Sequence, residues 1–276
     1  MFYLDQPGID YLTCTTFNPV VFATVRKVVT ETARHYDRDR RRLQYTGILG
    51  HHEQGSAYCG SGIQKNRDHY LVQISGLWAD TLFPLVANHV ATGKARCTRI
   101  DLQLTVNYDR DSWSQPDLAD TLRHDNPRRS VSYLESASGP ANSKLGTVYF
   151  GSRSSDRFVR VYEKMGLGED VFLRFEAEFK SPRADVVCKA VDEHGPWAVL
   201  GAEILRVDNA DLMRMFDHDP NAVLVEPQLI RPEPATLKWL RETVAPSLDR
   251  AINDHNIDTA EVEHLFRRIL GCPDPD

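Results

Sequence analysis

The segment at residues 171–180 alternates strictly between apolar and charged residues, and no other feature constrains the fold as strongly. Its charged positions are Arg174, Glu176, Glu178 and Lys180. Successive side chains of a strand point to opposite faces, so a period of two predicts a strand with one apolar and one charged face. Antiparallel sheets are built from half-buried strands of this kind.

A second segment, residues 99–106, repeats the alternation, with Arg99 and Asp101 on its charged side. Taken alone, each such strand is most simply a half-buried strand with a solvated outer face. Several adjacent faces that mix carboxylates with arginines also suit a second interpretation. They would form a carboxylate site for a hard divalent cation beside a basic lining for phosphates.

A third segment, residues 157–164, places Tyr162 between Arg160 and Lys164 at a spacing of two. On a strand these three side chains share a face. Cations beside a phenol favour its ionised form and would hold the phosphate that it attacks. A structural tyrosine on an amphipathic strand fits the same spacing. Tyr149 is the second candidate nucleophile, although a structural role suits it better.

The order of the elements predicts the fold class. A strand at residues 8–16 precedes a helix that begins at Pro19, runs to about His35 and is capped by Asn18. Strands and helices then follow up to residue 180, and the pattern is helical beyond it. We predict an α+β fold: a mainly antiparallel sheet with helices on one face and an open charged face, followed by a helical C-terminal part.

The predicted domain boundary lies after the third alternating strand. Residues 1–183 form the α+β domain, and residues 184–276 form the helical part, either separate or packed with the first as one unit. Two stretches lack periodicity. Residues 34–42 are predicted to be a charged loop or helix end, and residues 126–146 a mobile loop.

Composition narrows the class of protein. A hydrophobic content of 41% in 276 residues suits a packed core. No run of about eighteen apolar residues is present, and the first residues lack the features of a secretory signal. The five cysteines form no Cys-x-x-Cys pair, which argues against a zinc ribbon or a disulfide framework. We expect a cytoplasmic protein with reduced thiols and no membrane association.

The charge distribution is uneven. A net charge of -6 argues against a generic, charge-driven nucleic-acid binder. The acidity is concentrated at residues 185–226, where nine acidic residues stand against three basic ones, whereas residues 38–42 and 153–164 are locally basic. A chain polarised in this way can bind DNA on one face.

Three blocks together resemble the replication initiation factor family. They are residues 98–102 (TRIDL), 150–164 (FGSRSSDRFVRVYEK) and 174–180 (RFEAEFK). This family includes initiators of rolling-circle plasmids, related proteins of filamentous phages and nicking relaxases of some conjugative elements. The resemblance covers roughly residues 71–184, with a weaker similarity at residues 236–240.

The resemblance implies a chemistry. In that family the tyrosine of the Arg-x-Tyr-x-Lys block attacks a phosphodiester, which leaves a 5′-phosphotyrosine and a free 3′-hydroxyl. Tyr162 would be this nucleophile, flanked by Arg160 and Lys164. The resemblance also implies Mg²⁺ or Mn²⁺ held by three acids, namely Asp101, Glu176 and Glu178. Thr105 departs from the family pattern, because members often carry a second aspartate there, so the glutamates would supply most of the ligands or the ligand set differs.

The function expected from the resemblance is that of a metal-dependent tyrosine endonuclease and strand transferase. It would nick origin DNA to start rolling-circle replication and rejoin it at termination. A relaxase with the same chemistry, a non-nicking origin-binding regulator and a nuclease that uses activated water are the alternatives. The expected partners are single-stranded or supercoiled origin DNA, a host helicase and, in a homodimer, a second copy of the chain. The expected DNA contacts are Arg99, Arg153, Arg157, Arg174 and Lys180.

Overall fold

The computed structural model of the chain describes residues 8–52, 55–107, 114–136, 144–165 and 171–207. Ten strands and four helices lie in these ranges. The strands are β1 (Gly8–Thr16), β2 (His35–Arg42), β3 (Tyr45–His52), β4 (Gly55–Gln64), β5 (Arg67–Gly76), β6 (Arg96–Asn107), β7 (Val131–Ser136), β8 (Leu145–Phe150), β9 (Arg157–Met165) and β10 (Val171–Lys180). The helices are α1 (Pro19–Thr32), α2 (Leu77–Ala91), α3 (Gln115–Asp125) and α4 (Arg183–Val207), the last interrupted at Gly195.

The ten strands form one sheet in the order β2-β3-β4-β5-β1-β6-β10-β9-β8-β7. Every pairing is antiparallel. The three alternating segments predicted as strands lie in β6, β9 and β10, and these are neighbours in the sheet. The blocks that carry the family resemblance are therefore side by side, although β6 is far from the other two strands in the sequence.

One face of the sheet carries the core. Apolar side chains such as Ile100, Val161 and Phe175 are almost completely buried, and they belong to one cluster with residues from all four helices, such as Val25 and Leu200. Within the described ranges no helix packs on the other face, which carries the charged residues of β6, β9 and β10. The predicted α+β class is confirmed, with helices on one face of a mainly antiparallel sheet.

The predicted cap of α1 is also confirmed. The Asn18 side-chain oxygen accepts hydrogen bonds from the backbone N–H groups of Val20, at 2.9 Å, and Val21, at 3.4 Å. Pro19 begins the helix, where its missing N–H has no partner to lose. The helix ends at Thr32, three residues before the predicted end near His35.

Two predicted loops contain strands. Residues 35–42 form β2, and residues 131–136 form β7, so the prediction of a charged loop or helix end and that of a mobile loop were both wrong there. These strands are the two edges of the sheet. An edge strand pairs on one side only and needs little apolar surface, so tertiary pairing selects the extended conformation without a hydrophobic alternation in the sequence.

The chain divides into two units, Met1–Val225 and Glu226–Asp276, and all described residues belong to the first. Helix α4, where the predicted C-terminal part begins, packs against β6 and β10. The predictions for residues 208–276, including the similarity at 236–240, lie outside the described residues. No helix in the described part of the chain is long and apolar enough to cross a membrane.

Candidate active site

The candidate site lies where β6, β10 and β9 run side by side. The strand register pairs Asp101 with Glu178, and Glu176 with Arg160, across neighbouring strands. Tyr162 lies two residues beyond Arg160 and faces the same side of the sheet. The structure therefore brings together the predicted nucleophile and the three predicted metal ligands on the charged face.

The carboxylates of this site are buried. Asp101 is 1% exposed, Glu176 2% and Glu178 7%. Arg99 contributes to this burial, because its guanidinium lies along two of them. It donates to Asp101 through Nε, at 2.8 Å, and Nη2, at 2.6 Å, and Nη2 also lies 2.8 Å from Glu178 Oε2. The centre of the charged face is thus a desolvated ion-pair network, not the open surface expected there.

Arg160 is the cation on which all three carboxylates converge. Its Nη2 bonds to Glu176 Oε1 and lies 3.8 Å from Asp101 Oδ2 and 4.0 Å from Glu178 Oε2. Its Nε is buried and has no hydrogen-bond acceptor among the described residues. A buried guanidinium N–H without an acceptor is uncommon, so this N–H could donate a hydrogen bond to an additional anionic oxygen.

Tyr162 is hydrogen-bonded to the same network. Its hydroxyl donates to Glu176 Oε2 over 3.0 Å. Burial raises the pKa of Tyr162, and the nearby Arg174 and Arg160 offset only part of that effect. Arg174 and Arg160 thus favour the ionised phenol, as expected of neighbouring cations, but desolvation of the phenolate outweighs their attraction and the net shift is upward.

The other two cations near Tyr162 have different environments. Burial, together with the charge of Arg174, lowers the pKa of Lys164. Arg174 is 6% exposed and donates to Thr105 Oγ1 at 2.9 Å and to Asp10 Oδ1 at 3.3 Å. Thr105, at the position where the family often has an aspartate, thus binds an arginine.

Lys180 and Arg153 lie at the same end of the charged face. The Lys180 amine is 2.7 Å from Glu178 Oε1 and also donates to the backbone oxygen of Arg153. The Arg153 guanidinium lies 5.6 Å from the ring centroid of Tyr149. That ring stacks on Phe158 with centroids 5.6 Å apart, which favours a structural role for Tyr149.

Arg157 does not join this group. Its Nε lies 2.8 Å from Glu203 Oε2 of α4, and both side chains are largely buried. It shares strand parity with Val159, whose side chain is in the helix-covered core. Arg157 therefore does not lie on the charged face, where it was predicted to contact DNA. The alternation of side chains along β9 was the signal that could have excluded that placement.

Two residues of the network were missed at the sequence level. Asp10 pairs with Arg174, and the Tyr11 ring centroid lies 4.6 Å from the Arg99 guanidinium carbon. Both belong to β1, which pairs with β6. The β-branched pattern of this strand predicts its conformation but not its neighbours, so no signal in the sequence linked these residues to the site.

A divalent cation suits the chemistry of the three acids but not their present partners. Carboxylate oxygens are the ligands that Mg²⁺ and Mn²⁺ prefer. The Arg160 Nη2 atom lies within 4.0 Å of an oxygen of each of the three acids, so one cationic group can contact all of them. In this arrangement arginines occupy those oxygens. Within the described ranges, no group of three or more His, Cys, Asp or Glu side chains is arranged to hold a metal ion. A metal at Asp101, Glu176 and Glu178 would have to displace Arg160.

Comparison with known proteins adds little to this geometry. No protein-family model matches the chain, and no curated protein matches it. One similar solved structure is DynU16, a putative protein in the dynemicin biosynthetic locus, at 13% identity over 74% of this chain and 99% of that chain, with a TM-score of 0.19. Another is the di-domain ARO/CYC StfQ from the steffimycin biosynthetic pathway, at 10% identity over 75% and 98%, with a TM-score of 0.16. Neither similarity supports a statement about fold or function at these scores.

Proposed function

We propose that this chain is a tyrosine DNA strand transferase that nicks one strand at a replication origin and starts rolling-circle replication. The observation that carries the proposal is the hydrogen bond of 3.0 Å from the Tyr162 hydroxyl to Glu176 Oε2. It joins a nucleophile to a buried carboxylate on adjacent strands, both of them in blocks that resemble the initiator family. A phenol and a base within hydrogen-bond reach are what a nucleophilic attack requires.

Glu176 provides the proton acceptor in this proposal. Because the pKa of Tyr162 is raised, the phenol is protonated at neutral pH and needs a base. As Tyr162 Oη bonds to phosphorus, its proton passes to Glu176, and the bond from phosphorus to the 3′ oxygen breaks. The products are a 5′-phosphotyrosine and a 3′-hydroxyl, which forms when the leaving 3′ oxygen takes up one proton. Lys164, with its lowered pKa, is our candidate donor of that proton.

Phosphate binding falls to the arginines. Arg160 has a buried Nε without an acceptor among the described residues, and a phosphate oxygen would supply one. Arg99, Arg153 and Lys180 lie on the same charged face and would contact flanking phosphates. Arg174 is held by Thr105 and Asp10, so its role in this proposal is to position the strand beside Tyr162.

The proposal includes Mg²⁺ or Mn²⁺ at Asp101, Glu176 and Glu178, where the ion would take the place of the Arg160 guanidinium. When bound, such an ion supplies Lewis-acid polarisation of the scissile phosphate. The two oxygens of Glu176 face different partners, since Oε1 bonds to Arg160 and Oε2 accepts from Tyr162. One carboxylate can therefore face a cation and serve as a base at the same time.

A second candidate is an origin-binding regulator that does not nick. Two observations favour it. Arginines already bind the three carboxylates, and the pKa of Tyr162 is raised, so the network is stable without substrate. A relaxase of a conjugative element shares the chemistry of the first proposal and differs only in its DNA. For the initiator, we propose a cytoplasmic protein that acts on origin DNA with a host helicase, as a monomer or a homodimer.

The test is covalent trapping. The protein is incubated with supercoiled plasmid or a single-stranded oligonucleotide carrying its origin, labelled 3′ of the nick, and then denatured. We expect label on the wild-type protein and on Tyr149→Phe. Tyr162→Phe should lose the adduct, because it removes one oxygen, yet bind the DNA with nearly unchanged affinity.

Each alternative predicts another pattern. An adduct on Tyr162→Phe contradicts the assignment of the nucleophile, and a free 5′-phosphate without adduct indicates a nuclease that uses water. Binding without cleavage in all variants indicates the regulator. Excess chelator should abolish nicking. If nicking is unchanged in excess chelator, only the proposed metal ion is contradicted, and the assignment of Tyr162 as the nucleophile stands.

A further inference from the structure

A basic groove lies at the edge of the sheet, away from the candidate active site. It has a volume of about 920 Å³ and runs between α1 and the strands β2, β3 and β4. Its cationic lining comes from Arg26 and Lys27 of α1 and from Arg38 of β2, with Asp39 as the acid among its lining residues. All three cationic residues are exposed.

The edge strand adds further charge to this groove. Arg41 is exposed and pairs in register with Thr46, which lines the groove, so it faces the same side. Arg38 is held in place by Tyr36, whose hydroxyl accepts from its Nη2 at 3.1 Å. Arg40 instead bonds to Asp37 at 3.0 Å. The groove thus presents four cations, from α1 and β2.

Charged edge strands have a simpler explanation, since arginines on an edge prevent pairing with other chains. That explanation covers β2 but not α1. Arg26 and Lys27 lie on a helix that is not an edge, and they face the same groove as Arg38. Two separate elements that place cations around one groove indicate an anionic partner.

The lining indicates which polyanion fits. Hydroxyl groups of Thr46 and Ser61 stand among the cations, and such groups contact phosphate oxygens. Single-stranded DNA is bound largely by stacking on aromatic rings. Tyr36 lines the groove, but Arg38 lies over its ring, with the guanidinium carbon 5.6 Å from the centroid. The eight residues of β2 span about 26 Å, which is about three-quarters of the roughly 35 Å turn of B-DNA.

We propose that this groove binds the phosphate backbone of double-stranded DNA through Arg26, Lys27, Arg38 and Arg41. The inference rests on the proposed function for the identity of that DNA, the duplex beside the nick site. The groove would hold the duplex while the charged face engages the strand to be cut. Binding at this groove is independent of sequence, because its contacts are to phosphates.

The experiment compares the double variant Arg38→Gln, Arg41→Gln with a control that removes the same charge elsewhere, Arg128→Gln, Lys189→Gln. Fluorescence anisotropy with a 30-base-pair duplex of unrelated sequence is measured from low to moderate salt. Each phosphate contact contributes about 0.9 to the slope of log K against log salt. We expect the groove variant to reduce that slope by about 1.8 and to bind at least tenfold more weakly, and the control to match the wild type. Thermal unfolding confirms that both variants are folded.

A second readout separates this inference from the proposed function. The adduct on a single-stranded origin oligonucleotide should persist in the groove variant, because Tyr162 is untouched. If no protein forms an adduct but the groove variant still loses duplex binding, the proposed nicking fails and the groove stands. Duplex binding that equals the control overturns the groove. So does a larger loss on single-stranded DNA, or on vesicles containing phosphatidylserine, than on the duplex.

Discussion

At the scale of single residues, the environment of Tyr162 decides how the site can work. Neighbouring cations alone would lower the pKa of the phenol, yet burial raises it. The carboxylate of Glu176, which the family resemblance suggests as a metal ligand, is also the acceptor of the phenolic hydrogen bond. The role as base that we propose for Glu176 rests on this hydrogen bond and was not among the expectations from sequence.

The Glu176→Gln variant tests this role. Glutamine keeps the shape but cannot accept the proton, so the rate of adduct formation at pH 7 should fall by about 10²- to 10⁴-fold. The remaining reaction depends on the ionised phenol, whose fraction below its raised pKa increases about tenfold per pH unit. The rate of the variant should therefore rise with pH from pH 7 upward, whereas that of the wild type should not rise, because its reaction does not depend on the ionised phenol and Lys164 loses the proton that it donates. The measurement is single-turnover trapping across this range.

A wild-type rate that rises as steeply as that of Glu176→Gln would contradict general-base assistance. It would mean that the ionised phenol reacts in both proteins. Asp37→Asn serves as the control, because Asp37 pairs with Arg40 on the edge strand β2, away from Tyr162. That variant should keep the wild-type pH profile.

At the scale of elements, the sheet depends on close approach between β3 and β4. A Cβ atom built on Gly47 would lie 1.9 Å from the backbone oxygen of Cys59 on the neighbouring strand. No backbone contact of that length can persist, so the two strands would have to move apart. Gly47 is thus a position where only glycine fits, although the sequence presents it as one glycine among sixteen.

The matched pair Gly47→Ala and Gly93→Ala separates crowding from backbone strain. Gly93 has φ +69° and nothing within 4 Å of its built Cβ, so alanine there should lower the free energy of unfolding by about 1–2 kcal/mol. Gly47→Ala should lower it by at least about 2 kcal/mol more, because paired backbone must shift. Urea denaturation measures both. Equal losses would show that β3 and β4 can separate at little cost.

At the scale of the whole molecule, the two faces of the sheet differ in the way they are buried. The helix-covered face is a continuous apolar core. At the centre of the other face, oppositely charged side chains are buried against one another: Asp101, Glu176 and Glu178 lie beside Arg99 and Arg160. Networks of this kind contribute little net stability but hold their members in fixed positions, which suits a site.

The apolar core also predicts the behaviour of the thiols. Burial raises the pKa of Cys14 and of Cys59 to about 12. At pH 8 only about one thiol in 10⁴ is then ionised, so alkylation requires opening of the structure. We expect iodoacetamide to label these cysteines in the native protein only as fast as it opens, and rapidly in urea. Peptide-resolved mass spectrometry measures this, and fast labelling of either residue in native buffer would contradict a closed core.

Much of the fold follows from local patterns. The period-two alternation predicted β6, β9 and β10 and the face on which Tyr162 and the three acids lie, because side-chain direction along a strand depends only on position. The cap at Asn18 followed in the same way. Parity also carried the information that Arg157 faces the core.

Partners and burial required the tertiary structure. Strands β2 and β7 extend because neighbouring strands pair with them, and no alternation in their own residues records that. Asp10 reaches Arg174 from a position far away in the sequence. The pKa of Tyr162 is raised because its surroundings exclude water, and the carboxylates converge on Arg160 because three strands meet there. The direction of a side chain is a local property of the sequence, whereas its neighbours and its access to water are set by segments that only folding brings together.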